Sequence, residues 1–208
     1  MLAVQFALVG AALTLALALR PWRLHPDAGP PWPSLAITCA LPLLWGLDRY
    51  TAPLAQPLSG AALLVLFAGW PWAVLACVPA AAVTAWLGGL DLSEALHRLV
   101  GLGLVPATLT VGIGAALRRL LPHHLFVYIL GRGFVGTIVV CAAAHALDLA
   151  LHPPRGGLSA GDRWLAGVLG AFAEGTMTGM LIAIAVAFRP HWLATYSDRL
   201  YLPPRSRG

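Results

Sequence analysis

The sequence predicts an all-α, polytopic transmembrane helix bundle of about seven spans, with its N-terminus outside and its C-terminus cytoplasmic. Three observations carry that prediction. Hydrophobic residues fill 59% of the 208 positions and charged residues only 10%, with a mean hydropathy of +0.80, whereas soluble domains carry about 25% charged residues. The charges lie between apolar runs, several of them long enough for helices of about 20 residues. The spans leave no room for a separate soluble domain such as an ATPase. Disordered chains need low hydrophobicity and high charge. A nucleic-acid binder is unsupported as well, because the net charge of +5, from 13 basic and 8 acidic residues, forms no basic stripe.

Span 1 covers Met1–Leu19 and ends at Arg20. No positive n-region precedes it and no A-x-A site with a polar mature chain follows, so it reads as a span and not a signal peptide. A Pro-rich linker, Pro21 to Pro33, leads to a short span 2 at Leu35–Leu47, closed by Asp48 and Arg49. The apolar stretch from Leu58 to Leu90 is too long for one helix. Gly69-Trp70-Pro71-Trp72 breaks it, since Pro cannot continue a hydrogen-bonded helix. Spans 3 (58–69) and 4 (72–89) therefore meet at a tight turn, with Trp70 and Trp72 at an interface. Asp91, Glu94 and Arg98 mark a loop. Span 5 runs 99–117 to Arg118-Arg119, span 6 runs 124–151 and span 7 runs 164–188. A basic tail, 189–208, follows.

Arg placement orients the bundle. All 13 basic residues are Arg. With the tail cytoplasmic, the inner side holds Arg20, Arg23, Arg118, Arg119, Arg189, Arg199, Arg205 and Arg207, and the outer side holds Arg49, Arg98, Arg155 and Arg163. A single span over 58–90 would reduce the count to six and move Arg20 and Arg23 outside, so the bias favours seven.

Charged groups at membrane depth are costly and face the protein interior, which makes them functional candidates. At ~1.5 Å per residue, Arg132 lies about 12 Å above the inner end of span 6 and Glu174 about 20 Å above the inner end of span 7. They read either as an ion pair joining two spans or as a gate or coupling pair. Cys141, His145, Asp148 and His152 follow at i, i+4, i+7 and i+11, on one helix face. Thiolate, imidazole and carboxylate are ligands of d-block metals. The competing reading is a small core cysteine with interfacial polar neighbours. Cys39, Cys77 and Cys141 form no C-x-x-C pattern. His123 and His124 read as helix-start residues and His97 as a loop residue. Gly157-Leu158-Ser159-Ala160-Gly161 has the letters of G-x-S-x-G without the strand–turn–helix setting that chemistry needs. There is no P-loop, dinucleotide fingerprint or H-E-x-x-H. Ala3, Ala7 and Ala11 form a small-residue stripe that would let another membrane subunit dock closely.

Two stretches carry a family resemblance. One is Pro122-His123-His124-Leu125-Phe126-Val127-Tyr128-Ile129-Leu130, continuing to Gly133-Phe134. The other is Glu174-Gly175, Gly179-Met180-Leu181, Phe188-Arg189-Pro190-His191-Trp192 and Asp198-Arg199-Leu200-Tyr201-Leu202. They resemble small bacterial membrane proteins identified as energy-coupling-factor transporter permeases, related to the CbiM-type substrate-binding component for cobalt and nickel. Leu58 to Ala76 fits that family's central hairpin, and the resemblance covers roughly 54–202. It implies a seven-span, N-out fold in the bacterial inner membrane and capture of a transition-metal ion as substrate. It also implies a membrane coupling subunit and two cytoplasmic ATPases as partners, with no cofactor of the chain's own. Leu2 and Pro57 stand where that family carries metal-binding histidines. The resemblance therefore transfers no ligand set: either other ligands serve, such as the Cys141/His145/Asp148 face, or the chain does not carry cobalt or nickel. A membrane scaffold or metalloenzyme assembly factor of the same fold is the competing function. An intramembrane enzyme finds no recognised nucleophile or zincin pattern.

Overall fold

A computed structural model describes residues 2–24, 32–50, 57–151 and 159–201, and the regular elements among them are all helical. In chain order the main helices are α1 (Leu2–Ala18), α2 (Trp32–Trp45), α3 (Ala61–Ala68), α4 (Trp70–Gly88), α5 (Leu92–Leu120), α6 (Val127–Leu151) and α7 (Ala160–Phe188). The last four are long and apolar enough to cross a bilayer, while α1 and α2 are apolar but shorter. These boundaries follow local chemistry. The Asp91 carboxylate accepts the Glu94 N–H at 2.8 Å and starts α5. The Ser159 hydroxyl accepts the Asp162 N–H at 3.1 Å and starts α7. Such caps satisfy amide donors that the first helical turn leaves open.

Two expectations are corrected. The first is that residues Asp91, Glu94 and Arg98 form a loop. They open α5 instead. The Arg98 guanidinium is buried against Asp48, at 2.8 Å, and Glu94, at 3.1 Å, and it also donates to the Trp45 carbonyl. Charge marks a loop only when water must solvate it, and here two carboxylates do so. A π-helical stretch, Leu99–Leu104, continues α5, and a second, Val127–Val135, opens α6.

The second correction concerns the third span. Only Ala61–Ala68 is helical in that region. Eight residues rise about 12 Å, well under half of a ~30 Å hydrocarbon core. Every residue from Ala61 to Phe67 is buried, so α3 lies inside the bundle and not against lipid. Glycines with positive φ delimit it, Gly60 at +65° and Gly69 at +81°. The tight turn at Gly69-Trp70-Pro71 is as the sequence predicts. Leu41, Trp45, Leu64, Val65, Ala73, Cys77 and Leu99 form a core that joins α2, α3, α4 and α5. Leu63, Leu66, Phe67, Tyr128, Ile182, Leu193 and Tyr201 form another, which joins the opposite side of α3 to α6, α7 and the segment after α7.

A Cβ at Gly60 would sit 2.7 Å from Leu41 Cδ2, in a backbone conformation that already disfavours one. Gly60→Ala is expected to cost about 2–4 kcal/mol, the left-handed penalty plus overpacking. Reversible unfolding in mixed micelles checks this, and a cost under about 0.5 kcal/mol would remove the steric argument.

Ala3, Ala7 and Ala11 all lie on the exposed side of α1. The helix packs inward instead through Val9, Ala12, Leu13 and Ala16.

Candidate functional site: a polar cavity above a buried half-helix

An eight-residue helix inside a membrane protein must find partners for its open N–H and C=O groups within the protein. At the N-terminal end of α3, both oxygens of Glu174 are used. Oε2 accepts the Ser59 N–H and Oε1 the Gly60 N–H, each at 2.8 Å. The Ala61 N–H donates to Ser59 Oγ at 3.0 Å, and that hydroxyl donates to the Leu102 carbonyl at 2.7 Å. The Trp45 indole donates to the Ser59 carbonyl at 2.7 Å. At the C-terminal end the partners come from the segment after α7. The Ala194 N–H donates to the Phe67 carbonyl at 3.0 Å, and the Thr195 hydroxyl donates to the Leu66 carbonyl at 3.1 Å. Because Thr195 spends its proton there, Tyr128 is the donor in the 2.8 Å Tyr128–Thr195 hydroxyl contact.

This arrangement separates the two membrane-depth charges. Glu174 and Arg132 form no ion pair. Glu174 sits at the N-terminal end of α3, and Arg132 lies beyond its C-terminal end, with Nη1 3.5 Å from the Thr195 carbonyl and its guanidinium 5.5 Å from the Tyr128 ring centre. A carboxylate at a helix N-terminus and a cation towards its C-terminus both complement the helix dipole. Depth along two helices was legible in the sequence, but the helix that separates them was not. Gly114 makes room for Arg132, since a Cβ there would lie 2.5 Å from Nη2.

Glu174 and Ser59 also face a cavity of about 210 Å³. Glu174 is about 21 Å along α7 from its start, so the cavity reaches well into the bundle. Its other lining residues include Asp48, Glu94, His97 and Arg98, and also Cys141, His145, Asp148 and Arg163. Four carboxylates thus face two guanidinium groups. His97 Nε2 lies 3.2 Å from Asp148 Oδ1, tying α5 to α6. His145 Nε2 lies 3.0 Å from the Arg163 carbonyl, tying α6 to α7. A carbonyl only accepts, so that nitrogen carries the proton.

The metal stripe is only partly gathered. Cys141, His145 and Asp148 all line the cavity, and His152 lies outside the described residues. Cys141 neighbours Glu174, His145 is hydrogen-bonded to the Arg163 backbone, and Asp148 Oδ1 lies 3.2 Å from His97 Nε2. Among the described residues no three His, Cys, Asp or Glu side chains are grouped to hold a metal ion. The spacing explains this. From Cys141 to Asp148 a helix climbs about 10 Å, whereas metal–ligand bonds are only about 2.0–2.3 Å long.

His97, read from sequence as a loop residue, is a cavity residue, and Ser59 was missed. Their only sequence signals were the Asp91 cap, which extends the helix through His97, and the Ser-Gly dipeptide that breaks an apolar run. His123 and His124 are exposed at the start of α6, and Ser159 of the G-x-S-x-G letters is a helix cap. No family model, curated protein or solved structure matches the chain.

Proposed function

We propose that the chain is the membrane-embedded substrate-binding component of an energy-coupling-factor-type transporter. A separate membrane coupling subunit and cytoplasmic ATPases would supply the energy. The observation that supports this reading most directly is the polar cavity that reaches Glu174 inside an otherwise apolar bundle. Discontinuous helices at membrane depth are where transporters build substrate sites, because broken backbone is tolerated only where protein buries it or a cavity lies beside it. The excess of carboxylates around the cavity favours a small cation. A transition-metal ion is the substrate that the resemblance implies, and its capture would require His145 to give up the Arg163 carbonyl. In this reading the chain crosses the bacterial inner membrane seven times, N-out, with α3 as the inner half of the third crossing.

Equilibrium binding of Co²⁺ and Ni²⁺ to the purified protein tests the proposal. Binding is expected near one ion per chain, weakened at least tenfold in the Cys141→Ala/His145→Ala double variant. Binding as tight in that variant as in the parent would place the ion elsewhere. No binding of either ion would remove the metal reading and leave the scaffold alternative ahead.

A further inference from the structure

At the opposite end of α3 from the cavity, Arg132 poses a separate problem. It is 7% exposed, yet among the described residues its Nε has no hydrogen-bond partner and its one acceptor contact is the long one to the Thr195 carbonyl. Among the described residues no carboxylate pairs with it. A buried guanidinium left this way is strongly unfavourable unless an anion or further acceptors reach it. Arg132 lines a small cavity of about 10 Å³ together with Arg118, His123, Tyr128 and Tyr201, and no acidic residue is among the described residues that line it. Arg118 and His123 are exposed at its rim, at the α5–α6 connection. Tyr128 and Tyr201 form the wall, with ring centres 5.0 Å apart, and the His123 ring lies 6.0 Å from that of Tyr201.

We propose that this pocket binds a phosphate-type oxyanion, with one oxygen entering towards Arg132 and the rest of the group held at the rim by Arg118 and His123. The cavity has room for about one water-sized group, which suits a single oxygen and not a whole solute. Two guanidinium groups and an imidazole, with no carboxylate among the described lining residues, are the chemistry that oxyanions select. The pocket sits at the end of the bundle where the Arg count places the cytoplasm. Basic pockets between helices on that face take anionic lipid headgroups, while a free phosphate ion offers the same oxygens.

The test uses the full chain in neutral detergent, titrated with dihexanoyl phosphatidylglycerol, dihexanoyl phosphatidylcholine or inorganic phosphate, and read by native mass spectrometry and melting temperature. Phosphatidylglycerol is expected to bind at least tenfold more tightly than phosphatidylcholine. Arg118→Gln is expected to weaken it about tenfold, whereas Arg119→Gln, one residue along and outside the pocket, leaves it within twofold. Arg118 is exposed, so its replacement does not depend on the core refolding around a lost buried group. Competition by millimolar inorganic phosphate would identify a free-ion site, and no competition would identify a lipid headgroup site. Equal binding of the two lipids together with no phosphate binding would overturn the proposal, as would equal weakening by the two Arg variants.

Discussion

Glu174→Ala is expected to destabilise the bundle by about 2–6 kcal/mol. The variant leaves the Ser59 and Gly60 N–H groups buried without acceptors, and each orphaned buried donor costs about 1–3 kcal/mol. Lipid cannot take their place, and water reaches them only through the cavity that Ser59 and Glu174 line, which sets the lower end of that range. Removing the carboxylate also removes the anion at the positive end of α3. Glu174→Gln keeps one acceptor oxygen but turns an amide N–H₂ towards a backbone donor, so its cost should fall between Ala and the parent. Reversible unfolding of the three proteins in mixed micelles gives the order directly. A cost below about 1 kcal/mol for Glu174→Ala would mean that the carboxylate does not hold the Ser59-Gly60 turn. The same variants separate structure from binding. If Glu174 also meets the substrate, Gln should weaken binding by more than its stability cost explains.

Much of this fold was legible because composition and apolar run length report on lipid directly. The predicted spans at 72–89, 99–117, 124–151 and 164–188 each fall on a helix long enough to cross, and Gly69-Trp70-Pro71 turns the chain where expected. The misreadings share a physical origin. Hydropathy averages over a window and treats each charge as a place where water must be. Arg98 fails that rule because Asp48, 50 positions away, neutralises it. Residues 58–69 fail it in the other direction: an apolar run reads as a span although Gly60 and Gly69 stop its helix after eight residues and protein, not lipid, covers it. The cavity was half legible. Helical periodicity puts Cys141, His145 and Asp148 on one face of α6. What that face meets depends on how α5 and α7 are rotated about their axes, and no local pattern encodes this. Thr195 is the extreme case, since nothing near it in sequence indicates that its hydroxyl completes the end of a helix at Leu66.

A tight contact between α6 and α7 at Gly167 yields the second large prediction. At Gly167 an added Cβ would fall 1.9 Å from His145 Cδ2 and 2.2 Å from Nε2. Gly167→Ala must therefore push the imidazole away from the Arg163 carbonyl or force the two helices apart. Overpacking of this kind costs about 1–3 kcal/mol, and the lost hydrogen bond about 0.5–1.5 kcal/mol more. His145→Ala alone loses the hydrogen bond and leaves space beside the cavity. In the double variant the alanine at 167 has no ring to meet, so most of its steric cost should disappear. Unfolding free energies of the four proteins form a cycle, with an expected coupling of at least about 1 kcal/mol towards rescue. Additive costs, within about 0.5 kcal/mol, would show that His145 does not rest on Gly167. The cycle bears on function as well, because the position of the ring shapes the cavity wall between Arg163 and Glu174. If the cavity is the binding site, Gly167→Ala should weaken substrate binding even at temperatures where it remains fully folded. A larger side chain at the exposed Leu169, whose side chain faces away from the bundle interior, should leave binding unchanged.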